Sequence, residues 1–269
     1  MDTDIRNYIK TMKQQLAYEM KNNKRGGIYG YIQRIMAYNS NRIEGNTLTP
    51  YQTASIFETG TINTQDVSCR TKDIEEMTGH FRMFNYVLNH LDDELSEDII
   101  KSMHYNLKTG VFEDMANGFP CGEYKNRQNF IADLQTATPD EVHDKMIELL
   151  EIYKNSNKSL TQLAKFHAQY ENIHPFQDGN GRTGRMILFK ESLKNNMVPI
   201  IIFDEDKTRY KDCLHLAQTR NNFRNLTEFF RNEQEKLYDK TVDIVMPHKD
   251  MPEQPTQIEK PDNDNPDFK

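Results

Sequence analysis

Apolar residues recur along most of the chain at steps of three and four, and few runs alternate at a period of two. The pattern predicts an all-α fold with one minor β-hairpin. Ile28, Tyr31, Ile32, Ile35 and Met36 mark a helix that stops near Glu44, where Gly45 suits a left-handed helix end. Ser96-Glu97-Asp98 opens a second helical pattern carried by Ile99, Ile100 and Met103, and Pro139-Asp140-Glu141 places proline and acids in the first turn of a helix running through Tyr153. Leu160, Leu163, Ala164, His167, Tyr170 and Ile173 then lead the chain to His174-Pro175, where the proline disfavours a helical histidine. After a glycine-containing loop, helical spacing resumes from Arg182 to Asn195 through Met186, Leu188, Phe189 and Leu193. The least helical stretch, GEYKNRQNFIADLQTATP between Gly122 and Pro139, is where the hairpin is expected.

The last 23 residues, from Pro247, hold five of the ten prolines, six acids and three lysines. That composition cannot build a core and reads as a solvated tail. The remaining length suits one large domain: an N-terminal helical segment over 1–30, a core over 31–246, and the tail over 247–269. No stretch has the roughly 18 apolar residues of a membrane span, and the N-terminus lacks the apolar core of a signal peptide. A cytoplasmic protein without membrane contact is expected. Cys69, Cys121 and Cys213 are odd in number and widely spaced, so free thiols are expected instead of disulfides or a thiolate metal site. The net charge of -7 offers no footprint for nucleic acid.

The chemistry concentrates in residues 174–185, HPFQDGNGRTGR. At the start of a helix, Gly179, Asn180 and Gly181 can bring backbone amides close to phosphate oxygens, and the helix N-terminus adds unpaired N–H donors. Arg182 and Arg185 supply forked donors on neighbouring parts of one surface. Asp178 offers a hard oxygen for Mg²⁺ held mainly by water and phosphates, so ATP with Mg²⁺ is the natural ligand. His174 is the group here able to take a proton near neutral pH from an attacking hydroxyl. Taken singly, a DG or NG dipeptide is usually a turn, and paired arginines usually face solvent. A base, a metal ligand, a double-glycine loop and two arginines within one short run are a different matter. Neither a GxxxxGK[ST] loop nor a kinase HRD or DFG set is present.

HPFQDGNGRTGR resembles the signature of the Fic domain family, HxFx[D/E]GNGRxxR, at every specified position, with similarity extending over roughly Tyr31 to Phe230. The resemblance implies a Fic-type helical bundle and a protein adenylyltransferase that moves AMP from Mg²⁺-ATP to a Ser, Thr or Tyr hydroxyl of a protein, itself included. It makes His174 the general base, Asp178 the Mg²⁺ ligand and Phe176 the buried anchor of the loop. Gly179, Asn180 and Gly181 line the α- and β-phosphates, with Arg182 beside them and Arg185 toward the γ-phosphate. Relatives that transfer phosphate carry lysine at the position of Gly181, so AMP transfer is the expected chemistry. The hairpin resembles the family's target-docking flap over about 124–138, with Asn129, Phe130, Ile131 and Ala132 against the nucleotide; an extended target segment pairs there through its main chain. This chain has Thr136-Ala137-Thr138 and Ala132 where the family usually has paired prolines and glycine. Tyr210 and Gln218 align with adenosine contacts, although the family often has asparagine at the second and a core-packed tyrosine is an alternative for the first. Pairing into a homodimer is a further expectation from the family.

Ser40-Asn41-Arg42-Ile43-Glu44-Gly45 resembles the family's inhibitory motif, [S/T]xxxE[G/N], on a helix over about 31–46. A Glu44 carboxylate brought to Arg185 would compete with the γ-phosphate, so Ser40 and Glu44 are assigned to autoinhibition. Two other functions remain open: net removal of AMP from modified targets, with Glu44 assisting hydrolysis, and a nucleotide-sensing interaction module without turnover.

Overall fold

The computed structural model describes residues 3–62, 68–131 and 134–247; Ala132 and the tail beyond Pro247 lie outside them. Among the described residues the chain forms α1 (Thr3–Lys21), α2 (Ile28–Ile43), α3 (Pro50–Thr59), α4 (Thr71–Asn89), α5 (Glu97–Lys108) and α6 (Phe112–Ala116). Two short strands follow, β1 (Phe130–Ile131) and β2 (Leu134–Gln135), and then α7 (Pro139–Lys154), α8 (Leu160–Ile173), α9 (Asn180–Lys194), α10 (Lys207–Arg220) and α11 (Arg224–Val245). The helix starts are set by local chemistry. Ser96 accepts the amide of Ile99 at 3.3 Å ahead of α5, and Thr49 and Gln52 cap each other across the first turn of α3, with Pro50 at its first position.

The core is organised around α9, which buries almost every residue from Asn180 to Leu193. A helix buried on all sides must be covered by several partners, and α2, α4, α5 and α8 pack against it. Its middle turn, Met186 to Phe189, is apolar: Phe189 meets Phe84 of α4 with ring centroids 5.2 Å apart. Burying an aromatic of this size contributes about 1.5–3 kcal/mol. The N-terminal half instead carries Asn180, Arg182, Thr183 and Arg185 into the interior, and polar groups placed there need partners. α1 joins the same core through Tyr8, Ile9, Met12 and Leu16, and the Tyr8 hydroxyl and Thr241 of α11 lie 2.6 Å apart.

The helix predicted to stop near Glu44 ends at Ile43, with Glu44 as its cap and Gly45 at φ 88°. α9 begins at Asn180, ahead of the expected Arg182, because Gly179 adopts φ 84° and lets the chain turn straight into the helix. The expected hairpin between Gly122 and Pro139 is reduced to one antiparallel ladder of two pairs, Phe130 with Gln135 and Ile131 with Leu134. Turns and coil make up the rest of that segment's described residues.

Candidate active site

α8 delivers the chain to His174, which takes φ 53° and ψ 63°. Pro175 disfavours the right-handed helical region for its predecessor, so the histidine becomes the left-handed cap of α8 and the chain reverses. His174 Nδ1 lies 3.3 Å from the Glu171 carbonyl oxygen. A carbonyl only accepts, so Nδ1 carries the proton and Nε2 keeps its lone pair. Burial is the main force lowering the His174 pKa to about 4, with the Lys125 charge adding to it and the Glu171 carbonyl contact opposing it. The imidazole is therefore neutral at pH 7, with the Nε2 lone pair free to accept a proton.

The loop after His174 is fixed backbone atom by backbone atom. Asn180 Oδ1 accepts the Phe176 amide at 2.7 Å, and its Nδ2 donates to the Phe176 carbonyl at 2.8 Å. The Phe176 ring is fully buried and stacks on His104 of α5 at 3.8 Å with planes 2° apart. His104 also donates from Nε2 to the Asp178 carbonyl at 2.9 Å and accepts the Gly122 amide at Nδ1 at 3.0 Å. Both ring nitrogens are thus assigned, and burial first of all drives the His104 pKa down to about 3, keeping it neutral.

At the start of α9 the first backbone bond runs from the Thr183 amide to the Gly179 carbonyl at 3.0 Å. The amides of Asn180, Gly181 and Arg182 precede it, giving the N-terminal donor set that suits an anion. Asp178 Oδ1 accepts the Gly179 amide at 2.7 Å, while Oδ2 receives Lys108 Nζ at 2.7 Å. Burial pushes this carboxyl up, but the Arg182 and Lys108 charges and these hydrogen bonds outweigh it and hold it far below the usual carboxylate range. The Asp178 side chain remains 37 % exposed, so an ionised hard oxygen is reachable from solvent. Among the described residues no three His, Cys, Asp or Glu side chains form a group that could hold a metal ion by themselves. A divalent ion here fits a single protein carboxylate completed by water and substrate oxygens.

Behind this front lies a buried charge network. Lys108 reaches Glu76 at 2.8 Å and Asp114 and Asp178 at 2.7 Å each, and Arg182 pairs with Glu76 at 2.6 Å. Arg182 also lies 3.4 Å from both Asp178 oxygens and from Asn41 Oδ1. The guanidinium expected beside the phosphates is therefore taken up by interior partners. Sequence reasoning missed Glu76, His104 and Lys108, although a signal was present. Asp73, Glu76, His80, Phe84 and Val87 share one helical stripe, as do Ile100, His104, Leu107 and Lys108, so charged residues interrupt otherwise apolar core faces.

Arg185 meets the C-terminal end of α2. Its Nη2 lies 2.7 Å from Glu44 Oε1 and donates to the Ser40 carbonyl at 2.9 Å, while Nε donates to Ser40 Oγ at 3.0 Å. The Glu44 side chain is 38 % exposed. Burial raises its pKa, and the charges of Arg185 and Arg182 more than offset that, holding Glu44 ionised. A Cβ on Gly181 would stand 2.4 Å from Glu44 Oε1 and 2.9 Å from Arg185 Nη1, so any larger residue there would displace the carboxylate.

The remaining predicted residues are placed differently. Asn129, expected against a nucleotide, spends its side chain inside the fold: Oδ1 accepts Lys125 Nζ at 2.6 Å and Nδ2 donates to the Phe176 carbonyl at 2.8 Å. Phe130 is 68 % exposed. Ile131 is described by its backbone alone, and Ala132 lies outside the described residues. Tyr210 is buried, with its hydroxyl 2.7 Å from His167 Nε2. The Gln218 Nε2 group is buried without a hydrogen-bond partner among the described residues, an unsatisfied donor of the kind a ligand can complete. The three cysteines are free, and no described helix is long and apolar enough to cross a membrane.

Residues 94–190 match the model of the Fic/DOC family. The chain is similar to the protein adenylyltransferase fic-1 of Caenorhabditis elegans, 27% identical over 191 residues that cover 68% of this chain and 36% of that protein. It is similar to the protein adenylyltransferase Fic of Drosophila melanogaster at 29% identity, covering 78% of this chain and 42% of the relative. The chain thus spans less than half the length of these curated relatives. In fold it resembles a Fic domain containing signaling protein of Bacteroides thetaiotaomicron, with TM-score 0.71, 23% identity, and 87% and 97% of the two chains covered. Residues 134–508 of C. elegans Fic-1 superimpose with TM-score 0.64 at 20% identity, over 87% of this chain and 72% of that one.

Proposed function

The chain belongs to the Fic/DOC family, and from that premise we propose that it is a self-inhibited protein adenylyltransferase, moving AMP from ATP to a Ser, Thr or Tyr hydroxyl of a protein, itself included. The observation that carries the reading is the 2.7 Å pair between Arg185 and Glu44, set beside a neutral His174 and the open N-terminus of α9. In this reading the target hydroxyl gives its proton to His174 Nε2 as its oxygen bonds to the α-phosphorus, and the bond to the leaving pyrophosphate breaks. The amides of Asn180 and Gly181 hold the developing charge on the phosphate oxygens. Asp178 would hold Mg²⁺, which when bound neutralises the phosphates. Arg185 orients the γ-phosphate once Glu44 withdraws, and Gln218 completes its free donor on the nucleoside. The target lies along the segment at about 124–138, adding its main chain to the edge of the β1–β2 ladder.

One observation favours a second activity at the same centre. Glu44 is ionised and partly exposed, so it could activate a water for removal of AMP from a modified target. Incubation with ATP labelled at the α-phosphate and Mg²⁺ tests the main reading. We expect weak labelling by the natural chain, labelling at least tenfold stronger with Glu44→Gly, and none with Glu44→Gly/His174→Ala. A Glu44→Gly protein that labels neither itself nor any lysate protein contradicts it. Supplying a modified target tests the second: AMP release that Glu44→Gly abolishes supports it, and release that survives the substitution opposes it.

A further inference from the structure

The segment that precedes β1 is joined to the His174 loop by one buried lysine. Lys125 is 3 % exposed, and its ammonium reaches Asn129 Oδ1 at 2.6 Å, Thr136 Oγ1 at 2.9 Å and the Ile173 carbonyl at 3.4 Å. All three partners are uncharged oxygens, one for each ammonium hydrogen. Its own backbone amide donates to the Pro175 carbonyl at 2.8 Å. Asn129 and Thr136 flank the two-pair ladder, one on each side, and Ile173 and Pro175 flank His174. Asn129 adds a fifth tie through Nδ2 to the Phe176 carbonyl at 2.8 Å, and Thr136 Oγ1 closes the ring with the Asn129 carbonyl at 2.7 Å. Among the described residues this buried cation has no carboxylate partner, a costly arrangement, and burial is the main cause lowering the Lys125 pKa to about 8. A structural lysine is normally paired, as Lys108 is; this one is spent on carbonyl and hydroxyl oxygens of two separate segments.

We propose that Lys125 is a positioning residue that fastens both sides of the β1–β2 ladder to the loop carrying His174, so that a target held along the ladder presents its hydroxyl to the imidazole in register. The inference deepens the transferase reading and rests on it for its kinetic consequence, whereas the fastening itself is a property of the protein without ligand. Alignment of this kind is where a displacement of about 1 Å costs up to 10²-fold in rate.

The test uses the full chain in the Glu44→Gly background. Lys125→Met is expected to speed amide exchange in peptides spanning 124–131 and 134–138 about tenfold or more. It should also raise KM for the protein target and lower kcat, together about tenfold in kcat/KM, while KM for ATP stays within twofold. Lys125→Arg should restore part of the loss. If Lys125→Met does not fold, Thr136→Val removes one ammonium partner, together with the Thr136 bond to the Asn129 carbonyl, without changing side-chain volume; faster exchange in peptide 124–131 as well as 134–138 supports the fastening. Folded Lys125→Met with parental exchange and target KM overturns the proposal, as does parental exchange in Thr136→Val when Lys125→Met cannot be made. Should Glu44→Gly transfer no AMP at all, the transferase reading fails while the exchange comparison still decides whether Lys125 fastens the two segments.

Discussion

Arg182 and Arg185 stand one turn apart on α9, and both are buried, yet their carboxylate partners occupy opposite settings. Arg182 is paired with Glu76, whose side chain is 7 % exposed and which also serves Lys108. Arg185 is paired with Glu44, which ends α2 and is 38 % exposed. A buried pair is destructive to break, because the surviving charge is left without solvent or partner, at about 3–5 kcal/mol. A pair whose acid reaches solvent is screened and costs less to break, and Arg185 keeps its two bonds to Ser40 when Glu44 is gone. The lesson is that spacing on a helix does not assign a role to an arginine; the solvent access of its partner does. The inner pair is closed off from solvent, and the outer one is open to it.

Lowering the pH should produce the largest effect and strike the inner region. Burial, as the largest cause, drives His80, His104 and His167 down to about 3 and His174 to about 4. In the unfolded chain such groups protonate near 6.5. The folded state binds fewer protons, so the stability they contribute is present above 6.5 and is lost as pH falls toward those values, at up to about 1.4 kcal/mol per pH unit for each histidine. Glu171, which burial raises to about 8, opposes this: its contribution is present below 4.5 and lost as pH rises through 8. Melting temperature should therefore fall steeply between pH 6.5 and 4.5. A flat profile over that window would show that these histidines are not held neutral.

Next in size, Glu76→Ala should destabilise the fold by about 3–5 kcal/mol in urea unfolding, since Lys108 and Arg182 both lose a buried partner. A loss below about 1 kcal/mol would erase the contrast between the two arginines. Ser40→Ala removes one hydrogen bond to Arg185 and should weaken the resting state by about 1 kcal/mol, seen as a modest gain in AMP labelling. The smallest effect is expected of Glu44→Gly on stability: a change within about 1 kcal/mol, even though its effect on labelling is the largest in the region. A large loss of stability would place Glu44 among the structural acids.

The pattern of apolar positions was enough to read the helices over 28–43, 139–153 and 160–173, because each has a long apolar stripe and a chemically marked end. The His174, Asp178 and Arg185 set was legible because its residues lie within the one short run 174–185. What was not legible depended on distant chain segments. His104 and Lys108 of α5 meet Asp178 only after α5 packs against α9, and Glu76 reaches both Lys108 and Arg182 from α4. The bond from Asn129 to the Phe176 carbonyl likewise joins residues far apart in the chain. Ahead of the ladder at Phe130–Ile131, Lys125 and Asn129 bond to the His174 loop instead of extending the strand pairing.

The central claim is that Glu44 occupies the place on Arg185 that a γ-phosphate would take. Calorimetric titration of ATP and ADP into the natural chain and into Glu44→Gly, both with Mg²⁺, tests it most directly. The natural chain should bind the two nucleotides with dissociation constants within about threefold of each other, and Glu44→Gly should prefer ATP by about tenfold or more, equivalent to about 1.4 kcal/mol. Equal discrimination by both proteins would contradict the account.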